Sequence, residues 1–461
     1  MFNSVFWQSV ADLPTLTLIF LVMSLVVAFG FEFINGFHDT ANAVTTVIYT
    51  HSLKPMPAVI FSGFCNFLGV LLGGTAVAFS IVNLLPVDVL VDESSGKALV
   101  MVISLLLAGV IWNLGTWSLG LPVSSSHTLI GSILGVGLVN SLLTRGDLSG
   151  VNWTKATEVG LSLVLSPVIG FGLAAMALLA MKAFIKDEVL FTPPEGQHSP
   201  PTWIRRLLIS TCGAVSFAHG SNDGQKGMGL ILLVLIGFMP GYYALDLNHP
   251  GKAIEVKSGA EFVLQNLPES KLQENPKLKS DLDQIVASLS GKSDFSEVPE
   301  KERWKLRQSM FDSRQLIQKM NLTPELHAKL TGPIRNFTHA LEYVPFWVIL
   351  GVAVALGLGT TIGYERIVVT IAEKIGKTHL TYGQGASAEL VAAITIAAAD
   401  LLHMPVSTTH VLSSGIAGTM VANKSGVQPA TLKRIALAWV LTLPASVSIS
   451  AGLFFIGNLI V

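Results

Sequence analysis

Apolar runs long enough to cross a lipid bilayer recur along this chain and leave it few folds to adopt. Of its 461 residues, 51% are hydrophobic and only 13% are charged, roughly half the ~25% charge of soluble domains. An α-helix of roughly 20 residues spans the hydrocarbon core of a bilayer and satisfies its own backbone there. The sequence therefore predicts an all-α, multi-pass membrane protein. Its ten apolar segments lie at about 14–49, 56–85, 98–118, 122–143, 156–185, 203–241, 343–364, 383–402, 405–422 and 431–458.

Two short polar patterns each occur twice. Gly36 to Asn42 (Gly-Phe-His-Asp-Thr-Ala-Asn) returns as Gly220 to Lys226, and Pro122 to His127 (Pro-Val-Ser-Ser-Ser-His) returns as Pro405 to His410. Duplicated membrane halves, interrupted by glycine and proline at matching places, are typical of transporters whose site lies between the halves. Five segments per half is an odd number, so the second half would enter from the opposite side. The pattern predicts inverted repeats with broken helices.

The second half is longer than the first between its two patterns, which predicts a polar insert. The predicted divisions are a first membrane repeat at 1–186, a cytoplasmic linker at 187–202, a second repeat at 203–241 and 341–461, and an insert at 242–340. Mixed charge, and Pro268, Pro299 and Pro324 between leucine-bearing runs, favour a small solvated domain of short helices in the insert. Disorder is the alternative.

Loop charges predict the orientation, because cytoplasmic loops carry an excess of Lys and Arg. Outside the insert, the side of the membrane opposite Met1 carries Lys54, Lys182, Lys186, Arg205, Arg206, Arg366, Lys374, Lys377, Lys424, Lys433 and Arg434. The side of Met1 carries Lys97, Arg145 and Lys155. We therefore expect both termini and the insert to face outward, in a protein of the cell (inner) membrane. The net charge of −1 gives no indication of nucleic-acid binding.

Few charged residues fall inside the predicted spans, where each costs roughly 2.5–3.5 kcal/mol or more unless it is paired or hydrated. They are Glu32, Asp39, Asp223, Lys226, Glu389 and Asp400. Three of these lie in the duplicated pattern, which makes that pattern the strongest indication of a functional site. Glu389 and Asp400 have no acidic counterpart in the first half and are interpreted as pairing or cavity residues.

The two Pro-Val-Ser segments, here called tip 1 (residues 122–127) and tip 2 (residues 405–410), predict helix beginnings. Proline disfavours helix in the residue before it, so the chain should break near Leu121 and Met404 and restart soon afterwards. Hydroxyl residues then stand at the N-cap and first turn, where free N–H groups and the helix dipole favour an oxyanion. The alternative is that they bond back to the helix or let helices pack closely. The candidate anion ligands are Ser124, Ser125, Ser126, Ser407, Thr408 and Thr409.

The Gly-x-x-Asp patterns are predicted to unwind their helices and to expose carbonyl oxygens. Together with Asp39, Asn42 and Asp223, these would be hard ligands for a cation; a buried aspartate can alternatively carry a proton, or simply cap a broken helix. Lys226 replaces Asn42 in the second copy, where it would neutralise an aspartate, substitute for a monovalent cation or contact the anion. Further candidates for coupling or proton transfer are His38, Asn222, Glu32, His127 and His410, although the last two more often bond to their own tip.

At these residues the chain resembles the Pit-type inorganic phosphate transporter family, in its bacterial low-affinity branch. The family's duplicated Gly-Ala-Asn-Asp-Val-Ala-Asn and Pro-(Val/Ile)-Ser-x-Thr-His signatures match the four patterns in order, and the resemblance covers 14–241 and 343–458. It implies phosphate symport by inverted repeats, commonly in a homodimer, with the phosphate held by the two tips and by Asp39, Asn42 and Asp223. His38 and Lys226 stand where the family usually has asparagine, which makes sodium coupling doubtful.

That branch is held to use protons and to accept neutral complexes of phosphate with divalent metals, so Asp39 and Asp223 are also candidate metal ligands. No cofactor is expected beyond a co-transported proton or metal. Two other readings remain: a carrier for another oxyanion such as sulfate, and an anion channel or intramembrane enzyme. No nucleophile–histidine pairing or metal-ligand spacing supports catalysis, and we predict a transporter rather than an enzyme.

Overall fold

The computed structural model describes residues 4–84, 96–148, 151–194, 196, 198–247 and 249–460. The end of the predicted segment at 85 and two positions of the predicted linker 187–202 lie outside these residues. Along the first part of the chain the helices are α1 (Ser4–Ala11), α2 (Thr15–Tyr49), α3 (Pro55–Leu72), α4 (Ala76–Val82), α5 (Lys97–Ser118), α6 (Ser125–Arg145), α7 (Trp153–Phe184) and α8 (Thr202–Phe238). A short 3-10 helix covers Glu188–Phe191.

The remaining helices follow in two groups, of which the first falls largely within the predicted insert. They are α9 (Pro240–Tyr243), α10 (Lys252–Asn266), α11 (Glu269–Glu274), α12 (Pro276–Ser288), α13 (Glu300–Lys319) and α14 (Pro324–Leu341). The second group is α15 (Phe346–Gly359), α16 (Glu365–Lys374), α17 (Tyr382–Leu401), α18 (Thr408–Ala422) and α19 (Pro429–Asn458). The described residues contain no β-strand, only one isolated bridge between Gly376 and Val427. The all-α prediction is confirmed.

The chain divides into two compact units. One comprises Met1–Leu21 and Leu235–Pro345, and the other comprises Val22–Val234 and Phe346–Val461. The first unit has its own apolar core, in which Leu282, Phe295 and Phe337 are almost fully buried. Arg307 is buried in it and donates to the carbonyl oxygens of Ala244 and Leu341 at 2.7 and 3.1 Å. The described residues of the predicted insert are helical, and its status as a separate solvated domain stays a prediction.

Most helices with a membrane-spanning character lie in the second unit, although α2 begins in the first. Within the described residues, six helices of the chain are long and apolar enough to cross a membrane, or up to seven if a bent helix pair counts as one span. All ten predicted apolar segments correspond to helices, so the multi-pass prediction is confirmed. Ten crossings, the inverted repeats and the outward termini stay predictions.

Helices α2 and α8 correct one prediction: they run unbroken through the Gly-x-x-Asp patterns. The glycines serve close packing instead of unwinding. A Cβ on Gly36 would lie 2.4 Å from the carbonyl oxygen of Leu356, and one on Gly220 would lie 2.2 Å from that of Asn66. Because the backbone stays helical, its carbonyls are used within the helix. The predicted cation ligands from unwound backbone are therefore wrong for these two helices.

The helix break in this part of the unit lies in the second apolar segment. It separates α3 from α4 at Gly73, Gly74 and Thr75, where Gly74 has a φ of +91° that favours glycine. Gln225 of α8 satisfies both edges of the break. Its side-chain oxygen accepts from the backbone of Val77 at 2.8 Å, and its amide donates to the carbonyl of Gly73 at 3.2 Å.

Candidate functional site

Both tips form the helix beginnings that the proline positions predict. Helix α5 ends at Ser118 and α6 begins at Ser125, while α17 ends at Leu401 and α18 begins at Thr408. Ser124 and Ser407 are the N-caps. The Oγ of each accepts from the backbone N–H three residues on, that of His127 or His410, and both distances are 3.2 Å. A side-chain oxygen at this position satisfies one of the N–H groups left open at a helix start.

The two tips meet inside the unit. The rings of His127 and His410 lie 4.7 Å apart between centroids, and the Oγ of Ser126 donates to the carbonyl oxygen of Val406 at 3.4 Å. Ser125 and Thr408, the first residues of the two helices, are buried at 3% and 5% exposure. The hydroxyl groups of both tips are therefore brought to one interior place, which their sequence separation alone could not establish.

Polar residues of α2 form a buried stripe that faces this place. Glu32, Asn35, Asp39 and Asn42 are spaced three or four residues apart, so they share one face of the helix. The hydroxyl of Thr409 in tip 2 donates to Asp39 Oδ1 in a short hydrogen bond, and the Asn42 amide donates to the same hydroxyl oxygen at 3.2 Å. The first pattern thus contacts the tip of the other half.

Helix α8 carries the matching residues, with a cation among them. The Nζ of Lys226 lies 2.5 Å from Asp223 Oδ1, 2.6 Å from the hydroxyl oxygen of Ser126 and 2.6 Å from the carbonyl oxygen of Val406. Its side chain is 3% exposed. Three oxygens around an ammonium match its three donors. Of the roles predicted for Lys226, neutralisation of an aspartate is the one that this geometry displays.

Two candidate coupling residues, His38 and Asn222, lie at the edges of the cluster. His38 is fully buried, with Nε2 at 3.5 Å from Thr116 Oγ1 in α5. Asn222 donates to Asp400 Oδ1 at 2.6 Å and accepts from the backbone of Val406 at 3.3 Å. Asp400 therefore pairs with the second pattern, in line with its interpretation as a pairing residue.

Two buried glutamates complete the set of intramembrane acids. Glu32 is fully buried against α8, since a Cβ on Gly227 would lie 2.3 Å from its carboxyl carbon. Glu389 accepts hydrogen bonds from Thr46, in a short contact, and from Thr211 at 2.5 Å. Glu32 of α2 thus packs against α8, and Glu389 of α17 bonds to both α2 and α8.

One residue of the cluster was not singled out by the sequence. His219 of α8 is buried, with Nε2 at 3.1 Å from Asp223 Oδ2 and 3.8 Å from Asp39 Oδ2. Asp39, His219 and Asp223 place one potential metal-ligand atom each within 4.8 Å of the others. The signal available in the sequence was its position one helical turn before Asp223, directly ahead of the second glycine pattern.

Known proteins match this chain over nearly its whole length. Residues 35–450 match the phosphate transporter family model. The low-affinity inorganic phosphate transporter of Buchnera aphidicola (strain APS) is 42% identical, over 97% of this chain and 98% of that protein. The low-affinity inorganic phosphate transporter PitA of Escherichia coli K12 is 40% identical, over 97% and 98%.

A solved structure supports the fold. The chain resembles a protein described as the sodium-dependent phosphate transporter with a TM-score of 0.56 and 22% identity, over 96% of this chain and 100% of that one. The prediction of a transporter rather than an enzyme is confirmed by the relatives. With a family model that matches most of its length and relatives above 30% identity, the chain belongs to the phosphate transporter family.

Proposed function

We propose that this protein imports inorganic phosphate across the cell membrane as a secondary active symporter, with protons as the coupling ion and divalent metal–phosphate complexes accepted as substrate. The observation that carries the proposal is the convergence of the two tips beside Asp39, Asp223 and Lys226. The names of the bacterial relatives at 40–42% identity support phosphate as the substrate.

The anion is held by the beginnings of α6 and α18. A helix N-terminus offers open N–H donors and about half a positive charge, which together favour a tetrahedral oxyanion. The hydroxyl of Ser125 is buried without a hydrogen-bond partner among the described residues, and is therefore free to donate to such an anion. Ser126, Thr408, Thr409 and the Lys226 ammonium supply further donors from both halves.

The charges of the cluster support the cotransport of a cation with the anion. Asp39 and Asp223 contribute two carboxylates, whereas Lys226 contributes one ammonium. A divalent anion that entered this buried place alone would add to a net negative charge, in surroundings where an uncompensated charge is costly. A proton or a divalent metal that enters with phosphate offsets this repulsion. These electrostatics support cotransport of the two.

Uptake of radiolabelled phosphate by the purified protein in liposomes tests the proposal. An inside-alkaline pH gradient should drive accumulation, and its dissipation by a protonophore should abolish accumulation. Asp39→Asn and Asp223→Asn should each nearly abolish uptake, whereas Asp283→Asn, at an exposed position of the insert, should not. Phosphate accumulation that does not depend on the pH gradient would contradict proton coupling. Uptake at the wild-type rate in Asp39→Asn or Asp223→Asn would show that the substituted carboxylate is not needed for transport.

Sulfate is the second candidate substrate, because hydroxyl and amide donors do not encode phosphate uniquely. Excess unlabelled sulfate should leave phosphate uptake unchanged if the proposal holds. The homodimer and the outward-facing termini remain part of the proposal; mass determination in nanodiscs and protease accessibility of the insert in oriented vesicles test them.

A further inference from the structure

The two site aspartates each turn one carboxylate oxygen away from their hydrogen-bond donors. Asp39 Oδ1 accepts from Thr409, and Asp223 Oδ1 accepts from Lys226. The other oxygen of each, Oδ2, is the one nearest to Nε2 of His219, at 3.8 and 3.1 Å. Both Asp223 Oδ2 and His219 Nε2 are buried and make no hydrogen bond among the described residues.

A chain of donors and acceptors on the far side of His219 fixes which of its ring nitrogens carries a proton. The hydroxyl of Thr360 donates to the carbonyl oxygen of Leu356 at 2.9 Å, so the oxygen of Thr360 is left to accept. It accepts from the amide of Asn66 at 2.9 Å. The amide oxygen of Asn66 must then face His219, and it lies 2.9 Å from Nδ1. An oxygen acceptor at this distance requires a proton on Nδ1.

With its proton on Nδ1, neutral His219 presents the lone pair of Nε2 to two carboxylate oxygens. Three electron-rich atoms that face one another in a buried place repel unless a second ring proton on Nε2 or a metal cation lies between them. Oxygen and nitrogen ligands bind a divalent metal such as Zn²⁺ at about 2.0–2.2 Å, so neighbouring ligands of one ion lie roughly 3–3.5 Å apart. The distances of 3.1 and 3.8 Å around Nε2 fit that spacing after small shifts of side chains.

We infer that Asp39 Oδ2, Asp223 Oδ2 and His219 Nε2 bind a divalent cation, with Asn66 and Thr360 as residues that position the imidazole. Metal-binding histidines usually donate their other N–H to an oxygen acceptor, which sets the tautomer and the orientation of the ring. The imidazole suits Zn²⁺ and other transition metals, whereas the two carboxylates also suit Mn²⁺. Three protein ligands leave positions open for phosphate oxygens or water.

This inference rests on the proposed function in one respect, because it places the metal of the metal–phosphate substrate. It adds that a nitrogen ligand from α8 takes part, which neither the sequence patterns nor the relatives' names indicate. The imidazole distinguishes the site from a purely carboxylate site for magnesium or calcium.

Electron paramagnetic resonance of Mn²⁺ bound to the purified, phosphate-free protein tests the inference without reference to transport. Echo-envelope modulation should show coupling of the bound Mn²⁺ to ¹⁴N in the wild-type protein. His219→Gln should remove this coupling and weaken Mn²⁺ binding by more than about 100-fold, since a direct ligand should matter more than the outer partners, whose loss costs 10–100-fold. His327→Gln, at an exposed position of the insert, should change neither.

The positioning residues give a second measurement. Asn66→Leu removes the acceptor for Nδ1–H and should weaken Mn²⁺ binding by about 10–100-fold, whereas Asn66→Asp keeps an acceptor and should restore much of the affinity. Failure to bind Mn²⁺ at millimolar concentration, binding without ¹⁴N coupling, or coupling that survives His219→Gln would each overturn the inference. Proton-driven phosphate uptake in liposomes is a separate measurement whose result does not depend on Mn²⁺ binding. Failure of the metal site and failure of phosphate transport are therefore distinguishable.

Discussion

Helices α2 and α8 carry copies of one pattern, yet they treat the tips differently. At the last position of the pattern, α2 has Asn42, whose amide donates among the described residues to the hydroxyl of Thr409 in tip 2. At the same position α8 has Lys226, which reaches Ser126 in tip 1, Val406 in tip 2 and Asp223 in its own helix. Asn42 thus contacts one tip, whereas Lys226 contacts both. This amide-to-ammonium difference makes the two helices contact the tips unequally.

The two halves also make one pair of equivalent contacts between tips and helices. Thr409 of tip 2 and Ser126 of tip 1 hold the same place in their patterns, and each contacts the pattern helix of the opposite half. The duplication therefore preserves the tip position that makes the contact, and in both contacts the partner is a charged residue, Asp39 in one and Lys226 in the other. Charge-assisted hydrogen bonds are roughly twice as strong as neutral ones.

The largest expected effects are those of substitutions at positions 42 and 226, where the two helices differ. Lys226→Met leaves Asp223 as a buried carboxylate without its cation, and loss of one partner from a buried ion pair costs about 3–5 kcal/mol. We expect phosphate uptake in liposomes to fall by at least about 100-fold, since each 1.4 kcal/mol is tenfold. Asn42→Ala should cost only about tenfold by the same conversion, because a neutral hydrogen bond contributes less. Lys279→Met, in the insert, is the control; equal losses at positions 42 and 226 would contradict the inequality.

Loss of the hydroxyl at Thr409 or at Ser126 should reduce phosphate uptake to different extents. Thr409→Val removes a donor to the Asp39 carboxylate, and hydrogen bonds to charged groups are worth about 1.5–3 kcal/mol. Uptake should fall by about 10–100-fold on that scale, and Thr409→Ser should retain it. Ser126→Ala should have a smaller effect, because Lys226 keeps two of its three oxygens. A larger loss at Ser126 than at Thr409 would show that the ammonium depends on tip 1.

The glycines should be equivalent in the two helices. Gly36→Ala and Gly220→Ala each place a methyl group against a neighbouring backbone oxygen, and overpacking of this kind typically costs about 1–3 kcal/mol. The thermal unfolding midpoint of the detergent-solubilised protein should fall for both. Gly30→Ala, whose added Cβ meets nothing within 4 Å, should leave the midpoint unchanged. If Gly30→Ala were as harmful as the other two, helix packing would not be the reason for the pattern glycines.

The smallest expected effects are those of the N-caps. Ser124→Ala and Ser407→Ala each remove one capping hydrogen bond of the same length, worth typically about 1 kcal/mol. Both should lower the unfolding midpoint slightly and by similar amounts. Ser→Asp at either position keeps a capping oxygen but should lower phosphate uptake, because a carboxylate there repels the anion. A marked difference between the two caps would show that the tips are unequal even at the backbone.

The tips were predictable to within a few residues, because proline geometry and N-cap chemistry act locally. The continuity of α2 and α8 was not, since glycine is compatible both with an unwound segment and with a helix packed closely against another. The contacts of Gly36 with α15 and of Gly220 with α3 decide the matter, and those partners are remote in sequence. His219 was not predicted for the same reason. A histidine in an apolar run is a candidate ligand only when the fold brings carboxylates to it, as Asp39 and Asp223 are brought here.

The identity and spacing of the polar residues, the membrane-spanning class and the helix starts at both tips were encoded in local sequence, because hydrophobicity, capping and proline effects operate within a few residues. Only the tertiary structure decided that Asp39 bonds to the tip of the other half, that Lys226 joins both tips, and that Asn66 and Thr360 orient His219. These contacts depend on the packing of α2, α3, α8 and α15 against one another. Such packing depends on side-chain shape across distant segments, which no local pattern records.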